Sequence, residues 1–234
     1  MRAWISWSTG KDSAWTLHVL RSHPRWREVE VVGLLATFNA AHDRVAMHAV
    51  RRELARAQAR AAGLPLVEVD LPWPCSNEEY EERMEAACAR AEREGVEAVA
   101  FGDLYLADVR AYRERQLART ALAPLFPLWG SDTWALAREM QDGGLRAILT
   151  CVDPRQVDRR LAGREFDRAL LSELPPGADP CGENGEFHTF AYQGPMFARG
   201  IGVQVGEVVE RDGFVFADVV PSGASPERPR PPGS

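Results

Sequence analysis

Along the first two-thirds of the chain the apolar positions switch repeatedly between two periods. Residues 2–7 (RAWISW) alternate apolar and polar as a strand does, and Asp12–Leu20 then puts Ala14, Leu17 and Leu20 on one helical stripe. VEVVGLLATF (29–38) is a β-branched run without alternation, the pattern of a strand buried on both faces. Val45–Ala62 places Met47, Val50, Leu54, Ala57 and Ala61 at helical spacing, with His48 on that helix and Gly63 as its stop. PLVEVDL (65–71) is the next strand. Ser76-Asn-Glu-Glu79 reads as a capping box opening a helix with a core stripe of Tyr80, Met84 and Cys88, ended by Gly95. VEAVAFGD (96–103) follows as strand and turn, a helix covers about 107–122, and PLFPLW (124–129) is extended. Ser131 or Asp132 caps a helix to Gln141, and LRAILTC (145–151) is a further strand.

Strands separated by helices of this length predict an α/β fold with right-handed crossovers. The expected architecture is a Rossmann-like parallel sheet with helices on both faces plus a smaller C-terminal α+β region. Residues 175–186 are rich in Pro and Gly, and 201–220 reads as a β-hairpin turning at Asp212-Gly213. The segment 221–234 (PSGASPERPRPPGS) has too little apolar surface to order itself and is expected to be disordered. The chain thus divides into a nucleotide-binding domain (1–126), a substrate-binding region (127–220) and that tail (221–234).

Composition narrows the class. With 45% hydrophobic and 26% charged residues the chain can bury an ordinary core. A formal charge of −6 argues against nucleic acid as the main partner, although arginines cluster at 51–60 and 155–168. No apolar run approaches the roughly 20 residues that span a bilayer, so no membrane role is expected. The chain enters a strand at once, with no signal peptide. Its four cysteines form no C-x-x-C pair, which fits neither a zinc ribbon nor a disulfide framework. A reduced, cytoplasmic protein is the expectation; assembly into a homo-oligomer stays open.

Candidate chemistry starts at residues 6–13, SWSTGKDS, where Lys11 is the only lysine; the other 27 of the 28 Lys+Arg are arginine. A strand-to-helix turn offers unpaired N–H groups and a partial positive charge to an anion. Gly10 lets backbone come close, Ser8, Thr9 and Ser13 add hydroxyl donors, and Lys11 supplies a compact full charge. The spacing is not a Walker A loop, which requires Gly where Ile5 stands and Ser/Thr where Asp12 stands. Asp12 either holds Mg²⁺ beside phosphates or caps the helix. Asp103 either binds ribose or metal or ends its strand, and Gly102 favours a site. Glu183 and Glu186, with Asn184 and His188 beside them in a glycine-bracketed loop, suit binding an amine, orienting ammonia or holding Mg²⁺. Trp129 lines a substrate groove or packs in the core.

Ser-Thr-Gly-Lys-Asp-Ser (8–13) resembles the SGGKDS pyrophosphate loop of the PP-loop ATPases, with Thr9 where glycine is commoner. GENGEFHTFAYQGPMF (182–197) resembles the G-E-x-G-E-[FY]-x-T-[FLV] signature and following P-[LM]-F segment of the diphthine–ammonia ligase family. Between them lie GLLATFN with Thr37, His48, FGD (101–103) and PLWGSD (127–132), so the resemblance covers roughly residues 3–220. It implies an ATP-dependent ligase using ATP, Mg²⁺ and ammonia. A carboxylate is adenylated, pyrophosphate leaves into residues 8–13, and ammonia displaces AMP to give an amide. Lys11, Glu183 and Glu186 are then the catalytic residues. Ser8, Thr9, Gly10, Asp12, Ser13, Thr37, His48, Gly102 and Asp103 join Lys11 around ATP, and Trp129, Asn184 and His188 face the substrate. In the family's named reaction the carboxylate is diphthine on elongation factor 2. An arginine-rich chain with one lysine suggests a GC-rich, quite plausibly bacterial genome, where the acyl substrate would be something else, small or protein-borne.

Two rival classes remain at this stage. A thiolating tRNA-modifying PP-loop enzyme would want paired cysteines, and only Cys181, just ahead of the glutamate loop, speaks for it. A nucleotide-binding module without turnover would not need Glu183 and Glu186.

Overall fold

The strand β1 (Arg2–Ser6) sends Trp4 and Ile5 to opposite faces, and both are buried. It is the centre of the larger of two sheets in a computed structural model that describes residues 1–46 and 48–223. On one side β1 pairs in parallel with β2 (Glu30–Asn39), which pairs in parallel with β4 (Leu66–Leu71). On the other side lie β5 (Ala98–Ala100) and β6 (Ala123–Leu125), also parallel. The order is therefore β4-β2-β1-β5-β6, and the short β3 (Arg44–Val45) folds back antiparallel on the end of β2. The chain leaves β1 in one direction and returns in the other, so the carboxyl ends of β1 and β5 form a topological switch point.

Both faces are covered, which is why β2 shows no alternation. One core takes Ile5, Leu34, Ala36 and Phe38 against the helices α1 (Lys11–Ser22) and α2 (Arg52–Ala62). The other takes Trp4, Leu35, Val67 and Val99 against α3 (Asn77–Arg93). The capping box at Ser76 and Glu79 forms in both directions, at 3.1 and 3.0 Å. The helix α4 (Ala107–Leu117) stops short of the expected 122, because Leu117 and Thr120 close a turn there. Residues 126–130 turn back instead of running on extended: Gly130 N–H donates to the Leu104 carbonyl at 2.8 Å. Of the two expected caps it is Asp132 that accepts from Ala135 N–H and opens α5 (Thr133–Asp142).

The C-terminal region builds a second, antiparallel sheet in the order β8-β7-β10-β9. Its strands are β7 (Arg146–Val152), β8 (Phe187–Gln193), β9 (Val203–Arg211) and β10 (Phe214–Pro221), with a short helix α6 (Arg168–Glu173) before β8. The hairpin turns at Asp212-Gly213, both with positive φ (52° and 81°), as a two-residue turn matched to strand twist requires. Leu149, Phe190 and Ala191 close this sheet onto the α1 side of the main core. Pro221 still pairs with Val203; the expectations for Met47 and for residues 224–234 lie outside the described residues.

A third expectation is corrected. The helix predicted from Val45 begins only at Arg52, and His48 lies in a turn. Val45 is drawn into β3, Ala49 has a positive φ of 55°, and Val45 N–H closes the turn on the Val50 carbonyl. Arg44 and Arg51 both ion-pair with Asp218 on β10, at 2.8 and 2.7 Å, so a distant strand outweighs the local helical period.

Arg52 then anchors the start of α2. Its guanidinium, 8% exposed as a residue, bonds Asp43 at 2.6 Å, Glu68 at 2.9 Å and Asp70 at 2.5 Å, 4.3 Å above the Phe38 ring. Arg52→Ala should lower unfolding free energy by about 2–3 kcal/mol, below the usual cost of breaking a buried pair because Asp43 and Asp70 stay solvated. A denaturant midpoint that hardly moves would show the network to be ornamental.

Candidate active site

At the carboxyl end of β1 the backbone turns sharply through Ser8, Thr9 and Gly10 into α1. Thr9 has φ of +70°, unusual for a β-branched residue, and Gly10 is an extended N-cap without a side chain. The Lys11 amide N–H donates to Thr189 Oγ1 of β8 at 3.0 Å, and Ser13 Oγ donates to the Gly10 carbonyl. Gly102, at the end of β5, lies against the Asp12–Ser13 peptide; a Cβ there would stand 3.0 Å from the Asp12 carbonyl carbon. The two switch-point loops are thus in contact, and Gly102 is small because they must be.

Lys11 is buried, 2% exposed, although it opens a helix. Its Nζ donates to both Asp12 oxygens, at 3.0 and 2.8 Å, and to the Cys181 carbonyl, with the Phe166 and Phe187 rings each 5.6 Å away. Burial works against the ammonium, but Asp12, with Cys181 and Asp179 behind it, more than offsets this and raises its pKa. Burial raises the Asp12 carboxyl too, only partly opposed by Lys11.

The second motif is a loop followed by the strand β8. Gly182, with φ of +71°, cannot be replaced cheaply, since a Cβ would come 2.7 Å from the Phe187 carbonyl. Glu183 reaches across to the loop after β5: Oε1 accepts the Leu104 N–H at 2.7 Å, while its own N–H donates to Asp179 Oδ2 at 2.8 Å. Burial pushes the Glu183 carboxyl up to about 7. Glu186 is 1% exposed and turned inward: Oε1 accepts from Asp179 N–H and Asn184 Nδ2, and Oε2 from Asn184 N–H. Two carboxylates of one motif therefore stand in different settings.

The rings of His48 and His188 meet at a tilt of 46°, with centroids 4.5 Å apart. Burial lowers both, His188 to about 4, and Lys11 lowers both further. Both imidazoles are thereby pushed towards the neutral form. Asp103 is raised by burial and sits 3.6 Å from Arg113. Trp129 is half-buried, with the Arg110 guanidinium 4.7 Å from its ring. The structure brings Ser8–Ser13, Gly102, Asp103, Glu183 and His188 to one edge, with His48 joined through His188. Thr37 lies further along β2, where its carbonyl accepts the Ala46 N–H. A cavity of about 540 Å³ opens there, lined by Asn39, Ala46, Ala49, Trp73 and Phe216, and one of about 430 Å³ opens beside Asp179 and Asn184, walled by Tyr105 and Trp134.

Asp179, Thr189 and Gln58 were not anticipated. Asp179 precedes the recognisable motif, Thr189 sits in what reads as loop, and Gln58 is one polar letter on an apolar helix face. Among the described residues no group of three or more His, Cys, Asp or Glu is arranged to hold a metal ion, and both Asp12 oxygens are taken by Lys11. Burial pushes the Cys181 thiol far above its ordinary range, the wrong direction for a reactive thiolate. No helix among the described residues is long and apolar enough to cross a membrane.

The diphthamide synthase N-terminal domain matches residues 1–122 and the diphthamide synthase C-terminal domain matches residues 132–217. A diphthine–ammonia ligase of Danio rerio is 33% identical over 178 residues, 69% of this chain and 69% of that protein. Those of Bos taurus and Homo sapiens are each 32% identical over 151 residues, 62% of this chain. The matched stretch spans 56% of either mammalian relative.

Proposed function

The chain belongs to the diphthamide synthase family, and on that premise we propose that it is an ATP-dependent ligase converting a carboxylate to an amide with ammonia. The observation that carries the reading is the meeting of its two motifs. The Lys11 backbone N–H and Thr189 Oγ1, 178 positions apart in sequence, are hydrogen-bonded at 3.0 Å at the carboxyl edge of the sheet. Residues 1–126 would hold the nucleotide and 127–220 complete the site.

The nucleotide's phosphates lie along residues 8–13, with its nucleoside end towards Thr37, His48 and the larger cavity. The substrate carboxylate attacks the α-phosphorus, forming the acyl–adenylate and breaking the bond to pyrophosphate. Lys11 offsets the charge growing on that leaving group. Mg²⁺ would arrive as part of the MgATP substrate, and Asp12, inside the 8–13 loop, is a carboxylate that would meet it there. Ammonia then adds to the acyl carbon and AMP departs. The nitrogen must lose a proton, and Glu183, its carboxyl raised to about 7 by burial, would take it. Glu186 touches no open space and works through the loop, holding Asp179 and Asn184 so that Glu183 faces Leu104. Asn184 and the smaller cavity, walled by Tyr105 and Trp134, lie on the acyl side. The acyl substrate is a carboxylic acid, free or protein-borne.

Incubation with ATP, Mg²⁺, ammonium and fractionated cell extract tests this. AMP and pyrophosphate should accumulate with the fraction that holds the acid. ADP as product, or no nucleotide turnover with any fraction, would overturn the ligase reading.

A further inference from the structure

Gln58 is completely buried on the apolar face of α2, between Leu54, Ala55, Ala61 and Ala62. A primary amide in such a place must find partners for two donors and an acceptor. It does. Oε1 accepts the Trp7 indole N–H at 2.8 Å, and Nε2 donates to the Thr9 carbonyl at 2.9 Å and the Ala191 carbonyl at 2.6 Å. The reversed amide would set oxygen against two carbonyls and N–H against N–H, so the orientation is fixed.

The Thr9 carbonyl also accepts the Ala191 N–H at 3.0 Å. Two donors, one from α2 and one from β8, therefore hold the peptide of a residue whose φ of +70° a β-branched side chain resists. A conformation of that kind persists only where its surroundings over-determine it. We propose that Gln58 is a positioning residue of the 8–13 loop: its amide holds Thr9 left-handed so that the loop enters α1 in the course that presents the helix N-terminus to the nucleotide's phosphates. Glycine at position 9 would need no such support, because it adopts positive φ freely. The inference rests on the reading of 8–13 as the phosphate site.

The test is calorimetric titration of a non-hydrolysable ATP analogue into Gln58→Met, which keeps length but has no donor, in the native and Thr9→Gly backgrounds. Unfolding curves are taken for each variant. Gln58→Met should weaken binding about tenfold in the native background, the scale of a lost buried hydrogen bond, and only about twofold beside Thr9→Gly. ATP KM should rise more than kcat falls. Equal losses in the two backgrounds, or none, would overturn the proposal. If Gln58→Met does not fold, Trp7→Phe decides: it keeps the amide but removes the donor that orients it. A loss of about threefold that Thr9→Gly relieves supports the role, and an unchanged affinity refutes it. Lys11→Ala serves as the separate control. Undiminished binding there would bring down the phosphate-loop reading itself, whatever Gln58 does.

Discussion

Lys11→Ala is expected to lower kcat/KM for ATP by roughly 10²–10³-fold, the range seen when one preorganised charge-stabilising donor is removed. The ammonium is already desolvated in the free protein, and Asp12 and the Cys181 carbonyl hold it in place; an arriving phosphate takes over one of its N–H donors in exchange. Lys11→Arg should fail nearly as badly. The space around Nζ is bounded by two phenylalanine rings, and a planar fork with five donors fits neither the volume nor the partners. The rates of AMP formation and the affinity for a non-hydrolysable analogue are the measurements. An arginine variant with full activity would end the case for a compact ammonium.

Most of this site was legible because its chemistry is local. SWSTGKDS reads as an anion loop from its own letters, since a glycine N-cap, hydroxyls and one lysine act within a single helical turn. Glu183 was legible for the same reason, as a carboxylate in a glycine turn, whereas the close approach that excludes a side chain at Gly102 comes from the distant Asp12–Ser13 peptide. What could not be read depends on distant partners. His48 follows a helical period that fails because Asp218, far down the chain, pulls Arg44 and Arg51 into a hairpin. Glu186 looks like a twin of Glu183 until its backbone partners show that it faces inward. β8 hides inside a motif whose glycines suggest loop, yet its Phe190 and Ala191 are fully buried against α1.

Glu183→Gln should leave affinity for the ATP analogue within about threefold while product formation falls roughly 10²–10⁴-fold, the usual worth of a positioned base. The substitution keeps shape and keeps an oxygen for the Leu104 N–H, so what it removes is the proton acceptor. A group that acts only as nitrogen gives up its proton affects turnover more than ground-state binding of nucleotide. Glu186→Gln should differ in kind. It sets an amide group against N–H donors it now accepts from, so the unfolding midpoint should drop, which Glu183→Gln leaves in place. The pH dependence gives a second reading. A base with its pKa raised to about 7 is protonated and idle below that pH and ionised above it. Wild-type turnover, compared at fixed free ammonia because the supply of that species also grows with pH, should therefore climb through about pH 7 and level off. In Glu183→Gln that inflection should vanish along with most of the rate. If the variant instead loses analogue affinity as severely as Lys11→Ala, the carboxylate serves the nucleotide and its metal, and the assignment of separate phosphate and amine sites is wrong.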